Sequence, residues 1–160
     1  RRAFELMVVA PFELTRVALP HLRSRPGASV INLSSVGALR STPGNLAHHT
    51  SKAALAHLTK LMAADLGPEV RVNALVPGAV ETPGLAGVFG TRPGLRDEVQ
   101  GRIRLGRLGT PEEIALAAVY LASPAAAWTG SRSTGPRSRS ARAACSGSAC
   151  RSAPRAATCA

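Results

Sequence analysis

The sequence predicts an α/β fold, a doubly wound parallel sheet with helices on both faces. Two short apolar runs, Ser29-Val30-Ile31-Asn32-Leu33 and Val70-Arg71-Val72-Asn73-Ala74-Leu75-Val76, have the length and character of strands. Between them, residues 47–66 repeat apolar side chains three and four apart, which is the spacing of one helix face. A strand, helix and strand of these lengths form a right-handed βαβ crossover, and helix candidates lie before and after it.

Taken in order, residues 3–23 are the first helix candidate, with Phe4, Val8, Phe12 and Leu19 among its apolar positions. Pro11 and Pro20 are expected to disturb its regularity. The strand at 29–33 follows, and then a loop bearing Gly, Ser and Pro from Gly37 to Asn45. In the helix at 47–66, Leu55, Leu58, Met62 and Leu66 make the stripe, and Gly67-Pro68 stops it. The strand at 70–76 ends at Pro77-Gly78. Residues 83–108, rich in Gly and Arg, read as a long loop with one short helix. Thr110-Pro111-Glu112-Glu113 then opens a helix running to about Leu121: Thr110 suits the N-cap, Pro111 the first turn and Glu113 the capping box.

The chain divides at residue 130. With 160 residues and 45% apolar content it can build one domain with a core. Residues 1–130 hold 14 Lys/Arg against 9 Asp/Glu, a net of +5, while residues 131–160 hold 6 Arg and no acid. More than half of the +11 therefore sits in a tail without Leu, Ile, Val, Met or an aromatic residue. Such a tail cannot bury enough apolar surface to offset its chain entropy, so disorder is expected. Residues favoured by GC-rich codons dominate it, which fits a shifted reading frame. Cys145, Cys150 and Cys159 lie there at spacings that match no zinc pattern, so free thiols are expected and no metal site. No internal repeat is present. No apolar run reaches 18 residues, so no membrane span is expected. The start shows no signal-peptide core and no initiator Met, so a cytoplasmic piece of a longer chain is expected.

In open parallel sheets, ligands sit beyond the carboxyl ends of the strands. Ser34 and Ser35 end the first strand and Pro77-Gly78 ends the second. Lys52 lies in the opening turns of the crossover helix, on the same rim. A hydroxyl pair, an amine and a Gly turn thus converge on position alone.

Four ordered segments carry a resemblance: Asn32-Leu33-Ser34-Ser35-Val36-Gly37, Ser51-Lys52-Ala53-Ala54, Val70–Gly78, and Gly106-Arg107-Leu108-Gly109-Thr110-Pro111-Glu112-Glu113-Ile114-Ala115. Together with Tyr120-Leu121-Ala122-Ser123 and Thr129-Gly130, they resemble the short-chain dehydrogenase/reductase family over about 130 residues. The flavour is nearest to its 3-oxoacyl-carrier-protein reductase-like and glucose dehydrogenase-like members. The resemblance implies the later part of a Rossmann-like fold, NAD or NADP as cofactor, and a small carbonyl or alcohol substrate. It further implies homo-oligomers packed through helices 3–23 and 47–66.

In that family a Ser and a Tyr hold the substrate oxygen, and a Lys four residues after the Tyr lowers its pKa and bonds the nicotinamide ribose. Register assigns these roles to Ser35, His48 and Lys52, so the Tyr position holds a histidine. A helical Asn of the family aligns with Met7. Tyr120 belongs to a distant helix and cannot replace the lost phenol. Pro77, Gly78, Val80 and Thr82 match the segment facing the nicotinamide. The family's opening βαβ unit, with its Gly-rich pyrophosphate turn, has no counterpart here, and its final strand should follow Thr129-Gly130, where the Arg/Ser tail stands.

Each assignment has a plainer competitor. Ser35 could be a strand-end cap, Lys52 a surface lysine like Lys60, and Pro77–Thr82 a simple turn. Histidine is a competent acid/base near neutral pH. Its reach, however, is about 2 Å shorter than a tyrosine hydroxyl's, and a misplacement of about 1 Å can cost on the order of 100-fold. A neighbouring ammonium also disfavours imidazolium. Impaired or absent turnover is therefore expected. His49 points about 100° further round the helix and reads as exposed or packed. Asn32 and Asn73 read as structural, and Arg102, Arg104 and Arg107 as a solvated loop. The function expected is an impaired oxidoreductase; the alternative is a non-catalytic remnant or oligomerisation partner. A nucleic-acid binder is disfavoured, because the basic tail has no aromatic residue for stacking and no recognisable motif.

Overall fold

The computed structural model describes residues 1–40 and 44–130. The expected disorder of 131–160 lies outside the described residues. The order is α1 (Arg2–Phe4), a π-helical turn (Glu5–Val9), α2 (Ala10–Arg23), β1 (Ser29–Leu33), a 3-10 turn (Val36–Ala38), α3 (Leu46–Leu66), β2 (Arg71–Leu75), α4 (Pro83–Phe89), α5 (Leu95–Gly101), α6 (Pro111–Ala122) and a 3-10 turn (Pro124–Ala126).

The first helix is continuous, and its irregularity has a cause in the sequence. Pro11 has no N–H to return to the carbonyl of residue 7. Just ahead of it the winding loosens by one residue, and the Ala10 N–H donates to the Glu5 carbonyl, five residues back.

β1 and β2 pair in parallel, with Ser29 opposite Arg71 and Leu33 opposite Leu75. The second strand is one residue shorter at each end than the apolar run suggests. Val70 is only 1% exposed, and its N–H caps α3 through the Leu66 carbonyl, so it serves the helix end rather than the ladder. Side chains alternate across a strand, and β2 uses both faces. Val72 packs with Met62 and Ala63 of α3, supported by Val30, Leu58 and Leu66. On the other face, the Arg71 guanidinium donates to the carbonyl of Leu121 (2.8 Å), at the carboxyl end of α6, and to that of Ala126 (3.1 Å), in the 3-10 turn that follows it. A cation there answers unpaired carbonyls and the negative end of the helix dipole. Helices therefore cover both faces of the strand pair, as the doubly wound reading requires.

α3 carries the expected stripe, with Leu55 and Met62 buried and Leu58 and Leu66 packed against the core. Its inner face also buries Ser51 and Thr59. The Asn32 amide reaches from β1 to the Thr59 hydroxyl at 2.9 Å, and that hydroxyl donates to the Leu55 carbonyl at 2.8 Å. Asn32 is thus structural, as expected.

α6 begins as the sequence predicts. Thr110 Oγ1 accepts from the Glu113 N–H, and the Glu113 carboxylate accepts from the Thr110 N–H. Residues 83–108 differ from expectation by holding two short helices. Thr82 caps α4 by accepting from the Leu85 N–H with Pro83 in the first turn, and Gly94, with φ of 77°, turns the chain into α5. Among the described residues, no helix is long and apolar enough to cross a membrane.

Candidate active site

Past their carboxyl ends the strands stay joined. The Ser34 N–H donates to the Leu75 carbonyl and the Val36 N–H to the Pro77 carbonyl, each at 2.8 Å. These bonds set the β1 and β2 exits side by side above one cavity of about 870 Å³.

The two serines divide their work. Ser34 is buried, and its hydroxyl donates to the Lys52 carbonyl at 2.8 Å, tying the end of β1 to α3. Ser35 is extended, and its Oγ accepts the Gly37 N–H at 3.2 Å as the cap of the 3-10 turn. Capping uses a lone pair and leaves the O–H hydrogen free to donate into the cavity that Ser35 lines. The cap and donor readings of this residue are therefore compatible.

His48 lines the same cavity from the first turn of α3. Burial, then the Lys52 ammonium, then His49, hold its imidazole below its ordinary pKa. His49 packs edge-on to it, with ring centroids 5.8 Å apart. His49 also covers Gly37, where an added Cβ would stand 2.3 Å from its ring. It is therefore packed, and it lines the cavity beside His48. Lys52 lies just behind the lining: its ammonium donates to the Leu33 carbonyl at 2.7 Å, and burial lowers its pKa. Lys60 is exposed on the same helix, as an ordinary surface lysine.

Pro77, Gly78, Val80 and Thr82 form the opposite wall. Val80 bridges to Gly109 in parallel; the Gly109 N–H donates to the Ala79 carbonyl and the Glu81 N–H to the Gly109 carbonyl. A Cβ built on Gly78 meets nothing within 4 Å, so this wall faces open space. Thr82 Oγ is used as the α4 cap, which again leaves a hydroxyl hydrogen to give. Tyr120 and Met7 do not line the cavity, and Tyr120 is half exposed on α6.

Two arginines escape the solvated-loop expectation. Arg102 and Arg104 line the cavity, and so does Arg40, which sequence reasoning passed over. Arg107 does not line it; it pairs with Glu113. Neither Arg104 nor Arg40 has an acid three or four residues away in sequence, whereas Arg102 has Glu98.

The later-fold geometry agrees with the comparisons. A family model described as "Enoyl-(Acyl carrier protein) reductase" matches residues 1–133. An uncharacterized oxidoreductase of Mycobacterium tuberculosis is 46% identical over 127 residues, covering 79% of this chain and 48% of that protein. Among solved structures, a 7α-hydroxysteroid dehydrogenase complexed with NADH and 7-oxo glycochenodeoxycholic acid superposes with a TM-score of 0.77 at 36% identity. That match covers 82% of this chain and 51% of the enzyme. An NADPH-bound short chain oxidoreductase from Pseudomonas aeruginosa, described as containing an atypical catalytic center, gives 0.73 at 32% identity, covering 81% and 52%. The chain belongs to the short-chain dehydrogenase/reductase family, whose fold is Rossmann-like. It spans about half the length of the curated relatives it matches.

Proposed function

We propose that this chain supplies the substrate side of an NAD- or NADP-dependent oxidoreductase site, which interconverts a carbonyl and an alcohol and is impaired by the histidine at position 48. The observation that carries the reading is the shared cavity: Ser35, His48 and the Pro77–Thr82 wall meet beyond the carboxyl ends of a parallel strand pair. Relatives bind NADH in one case and NADPH in another, which supports a nicotinamide and leaves both forms open.

The residues present suit the nicotinamide end of such a cofactor. Gly78 leaves open space and Thr82 keeps a free hydroxyl hydrogen on the Pro77–Thr82 wall, while the Lys52 ammonium, bonded to the Leu33 carbonyl, lies behind the lining on the β1 side. When bound, the nicotinamide gives or takes the hydride. Ser35 donates its hydroxyl hydrogen to the substrate oxygen. His48 stands where the proton is exchanged, and burial, Lys52 and His49 disfavour its imidazolium form. A neutral imidazole accepts a proton from an alcohol more readily than it supplies one to a carbonyl.

The test follows reduced-nicotinamide absorbance over a panel of ketones and alcohols. His48→Tyr should restore little in this chain, because no pyrophosphate turn is found among the described residues. In a protein extended by a family-type N-terminal βαβ unit, the same substitution should raise the rate by about 10²–10⁴-fold, the usual worth of a well-placed acid/base. Robust ketone reduction by the native chain would overturn the impairment.

A second reading, an oligomerisation partner, is favoured by one observation. Phe12, Leu14 and Val17 of α2 and Leu61 of α3 are exposed, and these are the helices through which family oligomers are implied to pack. Light scattering should then show association that Leu14→Glu weakens; a monomer at all concentrations would exclude it.

A further inference from the structure

We propose that Arg40 and Arg104 form an anion subsite in the cavity, so that the substrate is an oxo or hydroxy acid whose carboxylate lies between them. The substrate role rests on the oxidoreductase reading above; the subsite itself rests on charge placement.

Among the described residues lining the cavity there is no Asp or Glu, whereas there are three arginines. Three acids of the surrounding loops and helices are paired with other arginines. Glu98 answers Arg102 at 2.7 Å and also pairs with Arg92, Glu81 pairs with Arg96, and Glu113 answers Arg107 at 2.6 Å. Arg40 and Arg104 have no ion pair or side-chain hydrogen bond among the described residues. They reach the cavity from different sides. Arg40 follows the turn that Ser35 caps, and Arg104 lies in the loop after α5, which the Gln100 side chain closes by donating to the Gly106 carbonyl at 2.9 Å.

The wall beside Arg104 is apolar, made by Leu85, Val99 and Ile103. Arg40 and Arg104 are themselves exposed, so their attraction for an anion is screened by solvent and salt. A planar guanidinium matches a carboxylate with two parallel N–H donors, which a neutral ester cannot use equally. The ligand class follows: a carboxylate at the arginines, an apolar spacer along Leu85 and Ile103, and a carbonyl or hydroxyl oxygen at Ser35 and His48.

Ligand-observed NMR with levulinate and its methyl ester tests this on the chain as it stands, without nicotinamide. The acid should bind about 3- to 30-fold more tightly than the ester, the range of two solvent-exposed ion pairs. That preference should shrink with added salt. Arg40→Gln and Arg104→Gln should each remove most of it, while Arg23→Gln, far away on α2, should not. Equal binding of acid and ester, no binding of either, or a preference that survives in the double variant would overturn the subsite. The acid-to-ester ratio and its salt dependence need no variant to fold. Nicotinamide-dependent turnover of neutral substrates is measured in parallel. Turnover without acid preference refutes the subsite alone. Acid preference in the native chain upholds it, and absent turnover then counts against the oxidoreductase reading only in the N-terminally extended His48→Tyr protein, since the native chain is expected to be impaired.

Discussion

The bond between Asn32 and Thr59 holds the strand that delivers Ser35 to the helix that delivers His48 and Lys52, and it gives an asymmetric prediction. Both residues are buried, at 7% and 4% exposure. Thr59 Oγ1 accepts from Asn32 Nδ2 at 2.9 Å and donates to the Leu55 carbonyl at 2.8 Å. Thr59→Val removes the acceptor and leaves a buried amide donor without a partner, which costs about 1–3 kcal/mol. Asn32→Leu removes the donor instead, and the Thr59 hydroxyl keeps its own hydrogen satisfied on Leu55. Its cost should stay near the net worth of one hydrogen bond, about 0.5–1.5 kcal/mol. The double variant has neither group stranded, so it should be more stable than the sum of the single losses implies, with a coupling of about 1 kcal/mol. Urea unfolding followed by far-ultraviolet circular dichroism measures all four proteins, compared at constant m. Additive losses, or Asn32→Leu costing more than Thr59→Val, would refute the argument.

Two further predictions concern titration. Because the folded state holds His48 below its ordinary pKa, the unfolded state takes up the proton first. Stability should therefore be present above about pH 6.5 and fall as pH drops below it, with a shallower fall in His48→Gln; equal pH slopes would contradict this. Arg107, with help from the Thr110 N–H, pushes the Glu113 carboxyl down to about 2. Arg107→Gln should move its NMR titration midpoint upward, and an unmoved midpoint would show that the pair is not formed in solution.

What was legible in the sequence depended on how local the cause was. β1 was readable because five consecutive residues of strand character end at a serine pair. α6 was readable because Thr110, Pro111 and Glu113 act within one turn. Ser35 and Lys52 were placed on one rim by strand order and helix spacing alone, whereas His48 was singled out only through register with the family. The two helices in 83–108 were hidden by weak periodicity, although Thr82-Pro83 repeats the signature used correctly at Thr110-Pro111. Thr82 was read as a nicotinamide contact, and its second role as the α4 cap went unread. The π-helical turn was foreshadowed only as irregularity near Pro11. Arg40 and Arg104 were not legible as cavity residues, since the course of two long connections decides where they point.

The change at position 48 has a consequence that follows from charge sign. A phenol becomes negative when it loses its proton, so a nearby ammonium lowers its pKa and eases that loss. An imidazole becomes positive when it gains a proton, so the same ammonium opposes the gain. Burial acts in opposite directions as well, raising a phenol's pKa and lowering an imidazole's. At a phenol the two effects oppose one another; at His48 burial and Lys52 act together, both downward. The lysine that assists proton release from a tyrosine thus withholds the proton from His48. Replacing Lys52 could relieve only the electrostatic part, because burial is the larger cause. The surroundings of position 48 therefore disfavour an imidazolium through both burial and charge.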